Sequence, residues 1–253
     1  SGCGTVFLNI LHNNSFWLID NGNGGFVGRA IKENIYYFSP LIENQYVVYR
    51  KKDSEDEEVF LDPNSFSEDG TISLTALDFS KNGNLVSYSI SEGGSDWRKV
   101  VVMYTETKEI IGDTLVDVKF SGMSWYKNEG FYYSSYDKPN GSELSAKTDQ
   151  HKLYFHKLGT SQKQDKIIFG DKVKRRYVSG YVTEDENYLI ISASTSTTGN
   201  ELYYKDLNSN GGIINIVNNF ETNNGIVDNM GTKFYVITDY NAPNQRLVTF
   251  DIK

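Results

Sequence analysis

Apolar and polar residues alternate along most of this chain with a period of two, which is typical of half-buried β-strands. The alternation is clearest from Ser73 to Ser80. Lys81–Asn84 then has the composition of a hairpin turn, and Leu85–Ile90 that of a return strand. No window shows a sustained apolar stripe at the helical period of 3.6 residues. The pattern therefore predicts an all-β protein built from consecutive antiparallel hairpins.

A two-strand unit recurs five times at intervals of 45 to 57 residues. Its first strand begins at Asn34, Leu85, Gly130, Asn187 and Lys233, and its second begins at Gln45, Arg98, His151, Glu201 and Arg246. A further strand on each side makes the unit a four-stranded antiparallel meander, and repeats of this length built from strands indicate the blades of a β-propeller. We predict about five blades, near residues 26–65, 66–115, 116–172, 173–220 and 221–253, with the fourth strand of the last one missing.

Residues 1–25 do not follow the repeat and form an atypical N-terminal segment. They carry two apolar runs, VFLNIL and SFWLI, which His12 and two asparagines separate. The two runs have the pattern of a hairpin that would complete the last blade and close a ring. Residual sequence without a defined role fits the pattern equally well, and both interpretations remain open.

The composition and charge of the chain exclude several classes of binding partner. The chain has 253 residues and a net charge of −8, which argues against nucleic acid and anionic membranes as partners. No apolar run approaches the roughly 20 residues that span a bilayer, so we expect a soluble protein, cytoplasmic or bacterial periplasmic. Cys3 is the single cysteine, which excludes an internal disulfide and a multi-cysteine metal site. We expect neither a metal nor a cofactor.

Candidate catalytic groups are few. The sequence lacks G-x-S-x-G, the turn that carries the serine nucleophile of α/β-hydrolases. Its three histidines are His12, His151 and His156, and a catalytic triad would need one of them oriented by a carboxylate. Asp149 is close to His151 in sequence, but both His151 and His156 fall in a predicted strand, so we interpret them as strand-surface residues. We predict no catalytic residue in this chain.

Three polar segments resemble ligand sites at first sight. The glycines of residues 20–28 do not fit a phosphate-binding motif and are interpreted as a hairpin. The acidic run 53–58 lacks the ligand spacing of a calcium loop and is interpreted as a solvated hairpin tip. A basic cluster precedes a predicted strand. It is either a solvated lead-in, or it pairs with acidic neighbours such as Asp171 or with the carboxylates of a partner. Its members are Lys172, Lys174, Arg175 and Arg176.

Several segments are more specific than the repeat itself. They are VFLDPNSFSEDGT (59–71), YSISEGGSDWRKV (88–100), LVDVKFSGMSW (115–125), GFYYSSYDKP (130–139), DQHKLYFHKLGT (149–160) and NELYYKDL (200–207). In content, order and spacing they resemble the propeller domain of the prolyl oligopeptidase family of serine peptidases, most closely its bacterial members. The resemblance covers about residues 29–253, and it implies the N-terminal part of a seven-bladed propeller.

The resemblance also implies a function. In that family the propeller caps an α/β-hydrolase domain that holds the catalytic serine, aspartate and histidine, and it restricts entry to short peptides cleaved after proline. Position in the motifs places Phe120 at the wall of the substrate cleft, with Tyr177 and Lys205 at two further wall positions. Without the resemblance, the residues alone favour Phe120 as a core aromatic of an inner strand.

Two functional hypotheses follow. The first is the substrate-gating propeller of a prolyl oligopeptidase-like endopeptidase, with the hydrolase domain of the same enzyme and short proline-containing peptides as its partners. Since this sequence lacks the hydrolase elbow, we expect the chain alone to be inactive as a peptidase. The alternative is a standalone β-propeller that serves as a protein-interaction module.

Overall fold

The computed structural model describes residues 5–8, 16–19, 26–31, 34–39, 45–52, 56–138 and 148–253. These residues form 21 strands in five sheets, together with short 3-10 turns at Pro63–Ser65 and Gln162–Gln164. Within the same residues, no helix is long and apolar enough to cross a bilayer. The chain divides into two compact units, residues 1–111 and 112–253.

The first unit contains two antiparallel sheets. The first sheet has six strands in sequence order: β1 (Thr5–Leu8), β2 (Phe16–Ile19), β3 (Phe26–Ile31), β4 (Asn34–Ser39), β5 (Val47–Lys52) and β6 (Glu58–Leu61). The second has four: β7 (Ile72–Phe79), β8 (Leu85–Glu92), β9 (Trp97–Tyr104) and β10 (Ile110–Lys119), which continues into the second unit. Within each sheet, consecutive strands of the chain pair with each other, as expected when hairpin connections join them.

The core of the first unit lies where these two sheets face each other. The alternating apolar positions of β4 to β6 meet those of β7 to β9, and the buried residues there are Tyr36, Val48, Phe60, Leu61, Phe79, Val86, Tyr88, Val101 and Met103. Aromatic rings fill the centre, because the ring centroids of Tyr36 and Phe79 are 4.4 Å apart and those of Tyr36 and Phe60 are 4.7 Å apart. Aromatic side chains supply the large buried area that holds stacked sheets together.

The second unit contains three sheets. The first consists of β11 (Ser124–Tyr126), β12 (Gly130–Ser135), β13 (Lys152–Lys157) and β14 (Lys166–Phe169). The next consists of β15 (Tyr177–Val182), β16 (Tyr188–Ser194), β17 (Glu201–Asp206) and β18 (Ile214–Val217), and the last of β19 (Asn224–Met230), β20 (Lys233–Thr238) and β21 (Arg246–Asp251). Apolar clusters join consecutive sheets: Leu153 packs among Val178, Leu189 and Ile191, and Ile190 packs with Phe234.

The prediction of an all-β chain of four-stranded antiparallel meanders is confirmed, although two details differ. The predicted inner strand 118–125 is interrupted, because β10 ends at Lys119 and β11 begins at Ser124. The two N-terminal apolar runs pair with each other as β1 and β2, and β2 pairs with β3 of the first sheet. The glycine-rich segment 20–25 and residues 53–55 of the acidic run lie outside the described residues.

Candidate functional site

Phe120 lies in the connection that interrupts the predicted inner strand. Its backbone is in the left-handed region (φ 54°), and the residue is 41 % exposed. The backbone just before it is held, because Lys119 N donates to Ser135 Oγ (3.1 Å) and Ser135 Oγ donates to Asp117 O (2.7 Å). A bulky residue rarely adopts this conformation unless its surroundings enforce it, and such strain is concentrated at functional sites. Phe120 is therefore a surface aromatic and not a core residue.

The structure brings Tyr177 and Phe120 together. Tyr177 is the first residue of β15, and its ring centroid is 6.3 Å from that of Phe120. The buried ring of Tyr136 lies edge-on to Phe120 at 6.2 Å. Two cations lie over this group, Lys119 Nζ at 5.1 Å from the Phe120 ring and Arg176 Cζ at 5.3 Å from the Tyr177 ring. We call Phe120, Tyr136 and Tyr177 the aromatic cluster.

Lys205 is not part of this cluster. In the register of the sheet, Lys205 is opposite Leu189, and Leu189 is opposite Val182. Val182 ends β15, whereas Tyr177 begins it, so the two are separated by about 17 Å along the strand at 3.3 Å per residue. The Lys205 Nζ instead donates to Gly211 O at 2.5 Å, next to its own hairpin.

His151 is buried beside the aromatic cluster and forms hydrogen bonds to the backbone next to Phe120 and next to Tyr177. Its side chain stacks on Tyr136 with 4.3 Å between ring centroids, and only 1 % of the residue is exposed. Its Nε2 is 2.9 Å from Lys119 O, and its Nδ1 accepts a hydrogen bond from Val178 N at 3.0 Å. Burial lowers the pKa of His151 to about 4, so the ring is neutral at neutral pH.

The interpretation of His151 and His156 as strand-surface residues is therefore wrong, since both are 1 % exposed. The His156 Nδ1 is 2.8 Å from Asp165 Oδ1, and Tyr133 OH donates to Asp165 Oδ2 at 2.8 Å. This arrangement resembles two members of a triad, but a reacting substrate cannot reach side chains that are 1 % and 2 % exposed. Hydrogen bonds to their rings allow both histidines to be buried. His12 lies outside the described residues.

Two members of the basic cluster, Lys174 and Arg175, pair with carboxylates that are distant in sequence. Arg175 Nε and a terminal nitrogen of its guanidinium donate to the two oxygens of Glu201 at 2.6 and 2.8 Å, and Lys174 Nζ is 2.6 Å from Asp149 Oδ2. Burial by itself raises the pKa of Glu201, but the hydrogen bonds from Arg175 and Tyr203 and the charge of Arg175 together outweigh it and leave that pKa below its ordinary value. The partners of Lys174 and Arg175 are thus Asp149 and Glu201, and the Arg175–Glu201 pair anchors the segment that leads to Tyr177.

Removing the charge of Glu201 should be costly. Its side chain is 7 % exposed and that of Arg175 is 20 % exposed, so Glu201→Gln leaves a poorly solvated guanidinium beside a neutral amide. We expect a loss of about 2 kcal/mol in the free energy of unfolding, measured by urea titration at pH 7. The matched control is Glu92→Gln, because the Lys99–Glu92 pair is about half exposed on both sides, and exposed pairs contribute less than about 1 kcal/mol. Equal losses in the two variants would contradict the prediction.

Sequence reasoning missed Tyr136, His151 and Glu201. Each lies in a segment that shows the family resemblance, but nothing in a period-two pattern marks it as a contact of Phe120 or Tyr177. The signal that was available is the aromatic density of GFYYSSYDKP, whose last tyrosine is Tyr136.

Comparison with known proteins identifies the fold and the family. The family model for the N-terminal β-propeller domain of prolyl oligopeptidase matches residues 30–253. The prolyl endopeptidase of Elizabethkingia miricola is 56 % identical over 224 residues, which is 88 % of this chain and 32 % of that protein. The chain thus spans about a third of the length of this relative.

Solved structures agree. One from a study of two prolyl endopeptidases superposes with a TM-score of 0.80 at 24 % identity, covering 89 % of this chain and 33 % of the other. Prolyl oligopeptidase B from Galerina marginata, bound to a 35-residue hydrolysis and macrocyclization substrate, superposes with a TM-score of 0.77 at 26 % identity, covering 87 % of this chain and 35 % of the other. The β-propeller prediction is confirmed, while the number of blades stays a prediction. The chain belongs to the prolyl oligopeptidase family and corresponds to the N-terminal β-propeller domain of its members.

Proposed function

We propose that this chain is the substrate-gating propeller of a prolyl oligopeptidase-like serine endopeptidase that cleaves short peptides after proline. In that role it works with a hydrolase domain that carries the nucleophile, and Phe120 and Tyr177 contact the bound peptide. The observation that carries the proposal is the exposed, conformationally strained Phe120 beside Tyr177. Lys205 is not included in this surface. It pairs with Leu189, which is opposite Val182, and Val182 is at the end of β15 that is farthest from Tyr177.

The chemistry of the aromatic cluster suits a proline-containing peptide. The exposed ring of Phe120 provides an apolar face on which a proline ring or another apolar side chain packs. The cation of Lys119 lies over the Phe120 ring and that of Arg176 over the Tyr177 ring, which adds positive charge suited to peptide carbonyls and carboxylates. An apolar face edged by a few polar groups is the usual composition of a site that binds a small ligand.

The test uses a peptidase in which this chain's propeller replaces the matching segment of the Elizabethkingia miricola enzyme. Two substrates are compared: a longer proline-containing peptide, and a short chromogenic substrate that ends near the scissile bond. For Phe120→Ala we expect a rise of about tenfold in the KM of the longer peptide, because about 1.4 kcal/mol of apolar contact is lost. The kcat and the kinetics of the short substrate should stay within about twofold.

Two controls accompany this experiment. Tyr104→Ala removes another exposed aromatic (46 % exposed) from a strand of a different sheet and should leave the KM of both substrates unchanged. The chain alone should show no turnover that a serine-directed inhibitor abolishes. If Phe120→Ala and Tyr104→Ala behave alike on the longer peptide, the proposed peptide contact is wrong.

A further inference from the structure

His151 links the two residues of the proposed peptide surface, Phe120 and Tyr177. Its Nε2 binds the carbonyl of Lys119, the residue before Phe120. Its Nδ1 binds the backbone N–H of Val178, the residue after Tyr177. Each hydrogen bond is thus one residue away from a side chain of the surface, on two segments that are far apart in sequence.

The segment around Tyr177 is held from both sides by the same small group. His151 N donates to Arg175 O at 2.7 Å, Tyr136 OH donates to Arg176 O at 2.5 Å, and Val178 N donates to His151 Nδ1 at 3.0 Å. These bonds fix the backbone on each side of Tyr177. Tyr136 in turn lies between the imidazole and the ring of Phe120. The positions of Phe120 and Tyr177 are therefore coupled through His151.

Only one form of the ring satisfies both hydrogen bonds. Because Val178 N–H is a donor, Nδ1 must carry the lone pair, and because Lys119 O is an acceptor, Nε2 must carry the proton. This is the neutral Nε2–H tautomer. A protonated ring would point an N–H at the Val178 N–H, and it would carry a charge in a site where the residue is 1 % exposed.

We infer that His151 is a positioning residue for peptide binding. Its neutral imidazole sets the spacing between Phe120 and Tyr177. This spacing in turn determines the affinity of the two rings for the part of the peptide that contains proline. The inference rests on the proposed function of these two aromatic residues. His151 does not act as a catalytic residue in this role, because it is 1 % exposed and cannot contact the peptide.

The first test is spectroscopic and uses the 253-residue chain. Histidine labelled with ¹⁵N should show a pyridine-like Nδ1 and a pyrrole-like Nε2 for His151 at pH 7, and NOEs should connect the rings of Phe120 and Tyr177. His151→Leu should abolish those ring NOEs while the chain stays folded by circular dichroism. His151→Asn keeps an acceptor for Val178, and His151→Gln keeps a donor for Lys119 O, so each should retain part of the NOE intensity if His151→Leu fails to fold.

The second test separates positioning from stability in the chimeric peptidase described above. His151→Leu should raise the KM of the longer peptide by about tenfold, since a displacement of about 1 Å weakens contacts that depend on alignment. The kcat should change less than about twofold, and His151→Asn and His151→Gln should give intermediate KM values. A purely structural role would lower the amount of folded enzyme and leave KM unchanged.

The outcomes are distinguishable. If Phe120→Ala raises KM while every folded His151 variant keeps the parent KM and ring NOEs, positioning by His151 is overturned and the proposed function stands. If Phe120→Ala has no effect on KM, the proposed function fails. The tautomer in the parent chain and the ring NOEs then decide alone whether His151 holds the two aromatic residues together, and persistence of the ring NOEs in His151→Leu overturns it.

Discussion

Replacing Gly199 by alanine should lower the free energy of unfolding by about 4 kcal/mol, a large fraction of the stability of an ordinary domain. Gly199 has a φ of +70°, and a Cβ there would overlap the backbone carbonyl of Phe220. The left-handed backbone costs a side chain about 1–2 kcal/mol, and forcing two backbone segments apart adds about 1–3 kcal/mol.

The backbone around Gly199 has little room to relax. Gly199 N donates to Asn223 Oδ1 at 2.9 Å, and Asn200 N donates to Thr222 O at 3.0 Å. The Asn200 side chain donates to Asn224 O at 2.9 Å, and Asn224 N donates to Asn200 Oδ1 at 2.7 Å. This network joins the start of β17 to the start of β19, so a shift that frees the new methyl group breaks hydrogen bonds between the sheets.

Alanine substitutions at two other glycines separate the backbone strain at Gly199 from the steric overlap with Phe220. Gly231 has a φ of +58°, but no atom lies within 4 Å of the position that an alanine methyl group would take, so Gly231→Ala should cost about 1–2 kcal/mol from backbone strain alone. Gly225 has neither a positive φ nor a close neighbour, and Gly225→Ala should be close to neutral. Urea unfolding of the three variants under one set of conditions checks the order. If Gly199→Ala and Gly231→Ala lower the free energy of unfolding by the same amount, the overlap between the new methyl group and Phe220 is relieved and the prediction is wrong.

Much of the fold is predictable from the sequence because its signal is local. The alternation in β7 and β8 and the Asn82–Gly83 turn between them are read from about 20 consecutive residues, and the structure pairs those strands with each other. The same holds for β12 and for the paired strands β16 and β17. Turn chemistry and period-two patterning determine hairpins without any knowledge of the rest of the chain.

The candidate site is less predictable because its contacts are long-range. KFSGMSW has the pattern of a continuous inner strand, and nothing in its composition indicates the left-handed conformation of Phe120. His151 is 32 residues from Lys119 and 27 from Val178, and the Arg175–Glu201 pair spans 26. Resemblance to the family indicated Phe120 and Tyr177 as residues of one surface, but only the sheet register separates Lys205 from them.

The stability of this chain should decrease by about 2 kcal/mol between pH 7 and pH 5 because of His151. The pKa of this histidine is lowered from 6.5 to about 4 by burial. Between these values the unfolded chain binds a proton that the folded chain excludes, so unfolding becomes more favourable as the pH falls. The stabilisation is fully present above pH 6.5 and is lost as the pH falls towards 4, a total of about 3 kcal/mol at 1.36 kcal/mol per pKa unit.

The carboxylates Glu201 and Asp185, whose pKa values are lowered on folding, act below this pH range. Of the charged groups near this site, Lys119 Nζ lies over the Phe120 ring and Arg176 Cζ over the Tyr177 ring, whereas Arg175 is paired with Glu201 and Lys174 with Asp149. The pKa values of Glu201 and Asp185 are lowered in the folded chain, because hydrogen bonds to their carboxylates outweigh burial. Their stabilisation is present above the unfolded values of 4.5 and 3.8 and is lost below them. The range from pH 5 to pH 7 is therefore governed mainly by histidine.

Urea unfolding at pH 7, 6 and 5 measures this loss, and His151→Gln provides the comparison. The variant keeps a donor for Lys119 O and cannot titrate, so it should be less stable than the parent chain at pH 7 and should lose about 2 kcal/mol less than the parent between pH 7 and pH 5. His12 and His156 are present in both proteins, so the difference between their pH profiles isolates His151. Parallel profiles would show that the His151 site admits the proton, in which case the neutral imidazole is not required to hold Lys119 and Val178 together.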